Sequence, residues 1–158
     1  MKFSKEGFQL LSLFESFRSE SYQDEGGVWT IGYGHTKGVS KESKPISKNE
    51  AFQFAREDIE AVEKFLSFHL PTLTQKQFDA LVSFIFNIGL HAFENSMMYK
   101  DCLLAGKMDY AADEFDEWIY VKRKISKGLK RRRAIEKKMF IGRHTYEELI
   151  HLWKKGII

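Results

Sequence analysis

Cysteine is almost absent from this chain. Cys102 is the only one in 158 residues, so no internal disulfide can form and folding does not require an oxidising compartment. No Cys or His lies near Cys102 at metal-ligand spacing, and no metal or other cofactor is expected. Prolines number only two, and neither a low-complexity tract nor an internal repeat is visible, which argues against a disordered chain. Long apolar runs are missing as well. The start "MKFSKEGFQLL" has no stretch of signal-peptide length, and nothing elsewhere is long enough to span a bilayer. The expectation is a chain made in a cytoplasm, with no readable signal or anchor and no stable membrane insertion.

What is present suits a packed domain. Hydrophobic residues make up 43% and aromatics 15%, enough for a real core in one domain, with two lobes around a cleft as an option. The net charge of +3 conceals a division. Residues 121–158 hold thirteen Lys or Arg and three acids, whereas the other 120 residues hold twelve bases and nineteen acids. The tail therefore carries +10 and the remainder −7. A run such as "KRKISKGLKRRR" is a solvated helical face in the plain reading, or a surface for a polyanion: nucleic acid, anionic lipid or an acidic wall polymer.

Periodicity predicts the elements. Residues 4–17 read as a first helix with Leu10, Leu11, Leu13, Phe14 and Phe17 on its apolar side. Residues 23–34 read as turn and strand, "DEGG" followed by "VWTIGY". Residues 37–46 form a polar loop with room for one more short strand. "SKNE" from Ser47 is a capping box that opens a helix through about residue 68, with Phe52, Ala55, Ile59, Val62 and Leu66 as its stripe. "TQKQ" from Thr74 repeats the device for a helix that stops near Gly89. Helical patterns follow at residues 97–104, 110–120, 129–141 and 146–153. The class is α+β, mostly α.

One stretch, "FESFRSESYQDEGGVWTIGYGHT" from Phe14 to Thr36, mixes residue types that plain structure does not need together. At about 100° per residue, Glu15 falls between Phe8 and Leu11, at the border of the apolar face. A carboxyl placed there is held back from ionising by desolvation, as a general acid requires. The competing reading is a surface pair with Arg18. Asp24 opens the "DEGG" turn, where an aspartate accepts backbone amides for purely local reasons. In a regular strand Thr30 would share a face with Val28, Gly32 and Gly34, leaving bare ground beside its hydroxyl. Close approach of a ligand and a β-bulge both explain such glycines. An acid, a second carboxylate and a hydroxyl beside a cleared groove fit glycosidic bond hydrolysis.

These residues resemble the bacteriophage-type lysozymes (endolysins, muramidases) of glycoside hydrolase family 24. Glu15, Asp24 nine residues on and Thr30 six further fall on that family's catalytic glutamate, aspartate and threonine, within "YQDEGGVWTIGYGHT". "FDALVSFIFNIG" at 78–89, "ADEFDEW" at 112–118 and "GLKRRRAIEKKMF" at 128–140 extend the likeness over nearly the whole chain. One departure is Ser16, where the family often has glycine. The resemblance implies one lysozyme domain over 1–158: a sheet-bearing N-terminal lobe at about 15–46, a connecting helix at about 47–68 and a helical lobe at about 72–158. It also implies hydrolysis of the β-1,4 bond between N-acetylmuramic acid and N-acetylglucosamine in bacterial peptidoglycan. Glu15 would be the acid, Asp24 and Thr30 would hold the water, and the reaction would invert. Further expectations are a monomer, no nucleic-acid partner, cell lysis in a phage setting and a holin for access to the wall.

The supporting residues are expectations too. Arg132 shares a helical stripe with Ile135 and Met139, and an inward arginine needs a carboxylate; the family has an arginine here that faces the catalytic glutamate, so Arg132 is expected to meet Glu15, with Arg133 as runner-up. His35 reads as a structural hydrogen-bonder more readily than as a base. Gly32, Gly34 and Asn87 are candidate substrate contacts, although Asn87 also suits a helix cap. Trp118 and Tyr120 read as core. Three rival classes stay open: an inactive wall-binding module, a nucleic-acid-binding helical protein, and a lytic transglycosylase, which would leave a 1,6-anhydro sugar.

Overall fold

Each long helix starts where the sequence supplies a side-chain cap. In a computed structural model, which describes residues 1–157, α1 (Lys5–Glu15) begins at Ser4, whose hydroxyl accepts the Gly7 amide. Helix α2 (Lys48–His69) begins with the reciprocal Ser47–Glu50 box, and α3 (Gln75–Ile88) with Thr74–Gln77. These caps satisfy amides that a helix end otherwise leaves unpaired. After α3 come α4 (Leu90–Glu94), a π-helical segment (Met98–Leu103), α5 (Met108–Asp113) and a 3₁₀ turn (Glu114–Glu117). Helices α6 (Lys127–Ile141) and α7 (Tyr146–Lys155) complete the chain.

The core forms around α3. Every residue from 78 to 85 is buried, and the helix packs on α1, α2 and α6. A hydrophobic helix with no exposed middle must be surrounded, and the amphipathic stripes of its neighbours do this. Ala55, Ile59, Val62 and Leu66 of α2 are buried as the spacing predicts, whereas Phe52 is 39% exposed and meets Phe8 edge-on at 4.8 Å. One buried carboxylate joins three helices. Asp79 accepts the Ser4 amide (3.1 Å), the Ser4 hydroxyl and the Tyr146 hydroxyl (2.6 Å). Burial and the bond to Asp79 push the Tyr146 phenol well above its ordinary range.

The β structure departs from expectation. Strand β1 (Arg18–Gln23) pairs antiparallel with β2 (Trp29–Gly32), placing Tyr22 opposite Thr30. "RSESYQ" shows no apolar alternation, because β1 is largely exposed and held by pairing with β2. The loop at 37–46 contains no strand; Ile46 only donates its amide to the Ser19 carbonyl. The helix expected over 110–120 ends early. Tyr120 and Val121 form β3, paired with β4 (Lys124–Ile125) in a hairpin whose tip, Lys122 and Arg123, has φ of 48° and 66°. Two non-glycine residues in left-handed backbone are costly locally, so the sequence pattern does not announce this turn. Among the described residues no helix is long and apolar enough to cross a membrane, and no group of three metal-ligating side chains converges.

Candidate active site

A cleft of about 960 Å³ runs between the β1–β2 hairpin and the faces of α3 and α6. Glu15, Asp24 and Thr30 all line it, each positioned by a different local device.

Glu15 is the last residue of α1. Ser16 then takes φ 51° and ψ 142°, which ends the helix and turns the chain into β1. Such a conformation is unusual for any residue with a Cβ and is one that glycine adopts freely. The Glu15 side chain is 14% exposed, and its Oε1 accepts from Arg132 Nη1. Gly34, at φ 91°, leaves room for the other oxygen: a Cβ there would lie 2.9 Å from Oε2. Arg18 forms no ion pair with Glu15; its guanidinium lies 4.3 Å from the centre of the Tyr22 ring, and Glu15 pairs with Arg132 instead.

Asp24 sits in the exposed turn between β1 and β2. Its Oδ1 accepts the amides of Gly26 (2.8 Å) and Val28 (2.9 Å). The local turn role thus uses one oxygen, while Oδ2 has no protein donor among the described residues. Thr30 is buried on β2, and its hydroxyl donates to the Val28 carbonyl at 3.0 Å. With its proton committed, the Thr30 oxygen faces the cleft as an acceptor.

The other expected contacts separate into groups. Gly34 and Asn87 line the cleft, and Asn87 Oδ1 accepts from Arg133 Nη2 at 2.6 Å. Gly32 does not line it. It is buried against the start of α2, where a Cβ would come 2.8 Å from Ala51 Cβ, so this glycine serves packing and is withdrawn as a substrate contact. His35 bridges Ile31 and is held against α2, its Nδ1 2.7 Å from Asp58 and its ring stacked on Phe54. Trp118 packs edge-on against Phe84 and also borders the cleft. Tyr120 was expected in the core but is 55% exposed on the cleft rim, because it belongs to β3 rather than to a helix.

Two features were not anticipated. Tyr22 lines the cleft opposite Thr30, and burial, reinforced by Glu15, raises its phenol, so it stands as a proton donor. It lies two residues before Asp24, and both line the cleft, a signal hidden by the polarity of β1. The second feature is that Arg133 is buried alongside the expected inward Arg132, with Glu136 fully buried between them. Arg131 alone turns outward from this cluster, 4.1 Å from the centre of the Trp153 ring.

A model of the phage lysozyme family matches residues 12–136, a span that includes the whole constellation. The class is that of a lysozyme-type glycosidase. The chain is 38% identical over 145 residues to the endolysin of Acyrthosiphon pisum secondary endosymbiont phage 1, covering 89% of this chain and 98% of that protein. It is 35% identical to the endolysin of Bacillus phage B103 across 89% of this chain, and spans only 54% of that relative. Among solved structures, the muramidase domain of SpmX from Asticaccaulis excentricus superposes with a TM-score of 0.77 at 36% identity, covering 89% of this chain and 97% of that one. The chain belongs to the phage lysozyme family.

Proposed function

We propose that the protein hydrolyses the β-1,4 bond between N-acetylmuramic acid and N-acetylglucosamine in peptidoglycan, and so lyses bacterial walls. The observation that carries this reading is the meeting of Glu15, Asp24 and Thr30 on one cleft, with Glu15 held by a buried arginine. Relatives named as endolysins and a structural neighbour named as a muramidase support it. In this mechanism Glu15 gives its proton, carried on the Oε2 that Arg132 does not bind, to the glycosidic oxygen. A water donates one hydrogen to Asp24 Oδ2 and the other to Thr30 Oγ1. Its lone pair then faces the anomeric carbon, and Asp24 takes the proton as the new bond forms. Attack from the face opposite the leaving oxygen inverts that carbon. The enzyme acts as a monomer without a metal; made in a host cytoplasm, it reaches the wall through a membrane lesion such as a holin provides.

Mass spectrometry of the soluble products from purified peptidoglycan tests the bond and the reaction type. Reducing muropeptides ending in N-acetylmuramic acid are expected. Products ending in a 1,6-anhydro sugar would replace hydrolysis with transglycosylation. NMR of fresh products should show the α-anomer first, and early β-anomer would overturn inversion.

A further inference from the structure

The proposed mechanism contains a conflict. A general acid must deliver a proton, yet Glu15 Oε1 is bound by the fixed cation of a guanidinium. The surroundings of Arg132 address that conflict. Its Nε donates to Glu136 Oε1 at 2.9 Å, and its Nη2 donates to the Ser83 carbonyl at 3.0 Å. Arg132 is therefore shared between two carboxylates on opposite sides. Glu136 is 0% exposed and also accepts the Ser83 hydroxyl at 2.6 Å. Its other oxygen lies 3.2 Å from Arg133 Nε, an ion pair without an aligned hydrogen bond. Arg133, equally buried, rests against the Phe84 ring and reaches Asn87 in the cleft.

The cluster thus contains two arginines and two carboxylates, formally neutral when all four are charged. Its parts follow from spacing on α6: Glu136 is four residues after Arg132 and three after Arg133, so all three share a face. The other titratable groups that line the cleft with Glu15 from β1 and its turn are Tyr22, Asp24 and Glu25, and Arg18 lies against the Tyr22 ring. Helix α3 contributes only the neutral Ser83 and Asn87, and α7 contributes Trp153. Glu117 borders the same cleft from the 3₁₀ turn. Among the described residues, Glu136 is the one acid that contacts the arginine holding Glu15 while being closed to solvent.

We propose that Glu136 is a positioning residue for the reaction: it divides the charge of Arg132, so that the arginine aims Glu15 without stripping its proton. Arg133 balances Glu136 in turn. This inference rests on Glu15 being the general acid. The two are separable, because Glu15→Gln tests that role while the α6 variants test its tuning.

The experiment is the pH dependence of kcat/KM on a soluble peptidoglycan oligosaccharide, whose alkaline limb reports loss of the acid's proton. Glu136→Gln leaves a surplus positive charge beside Glu15, and the limb should move to lower pH by about one unit. Arg133→Met leaves a surplus negative charge, and the limb should move upward. The double variant Arg133→Met/Glu136→Gln restores neutrality and should return the limb close to wild type, whatever the loss in maximal rate. A purely structural role would lower rate or stability without opposite displacements and without this return. If Glu136→Gln does not fold, Arg133→Met and the double variant still decide the matter. Limbs that coincide with wild type in the folded variants would overturn the proposal and leave Glu15 as the acid. A Glu15→Gln enzyme with undiminished turnover would instead remove the reading on which it rests.

Discussion

The two walls of the cleft are built in opposite ways. The β1–β2 wall is polar and wet: Asp24 stands in an exposed turn and is aimed by two backbone amides. The α6 wall is dry: Arg132, Arg133 and Glu136 are buried and aimed by one another. Groups that must meet water can be fixed by a local turn at little desolvation cost. Groups that set the field around Glu15 gain strength from exclusion of water, but each needs a partner. The difference teaches where function and stability should come apart.

Arg132→Met is expected to show the largest effect on stability. It leaves Glu136 buried with the Ser83 hydroxyl and one misaligned cation, Arg133, at a cost of about 3–5 kcal/mol. Thermal unfolding should then fall by roughly 10 °C, and a shift of only a degree or two would deny the dry wall its structural role. On the wet wall, Asp24→Asn keeps the Oδ1 acceptor for both amides. Turnover should drop about 100-fold while the unfolding temperature stays nearly constant; equal losses in both would erase the contrast between the walls. Thr30→Val removes the water's second acceptor and should lower kcat by roughly tenfold, with a modest loss of stability from its hydroxyl bond to Val28. The smallest change runs the other way. Ser16→Gly relieves the left-handed φ of 51° at the end of α1 and should stabilise the protein by about 1 kcal/mol in urea denaturation.

The same contrast decides what the sequence made legible. Capping boxes at Ser47 and Thr74 are short local codes, and both appear where the residue pattern places them. The spacing of Glu15, Asp24 and Thr30 was equally readable, because one helix end and one hairpin bring them to a common edge. Gly32 and Gly34 looked alike in sequence and differ in space: one faces Ala51 of α2, the other the Glu15 carboxylate. Only the bend after β2, where Ile31 bridges His35, separates them. The burial of Arg133 and Glu136 could not be read from "RRRAIE", since a charged helical run is normally a solvated face and only the packing of α6 on α3 closes this one. Strand β1 and the β3–β4 hairpin were missed for a related reason. Pairing partners hold them, rather than a hydrophobic pattern of their own.

The central claim is that Glu15, at the junction of the two walls, carries the proton for bond cleavage. Digestion of purified peptidoglycan by wild type and by Glu15→Gln, with both proteins shown folded by circular dichroism, tests it most directly. The account predicts reducing muropeptides from wild type and a loss of more than about 100-fold in the variant. A folded Glu15→Gln protein that releases the same products at a comparable rate would contradict it.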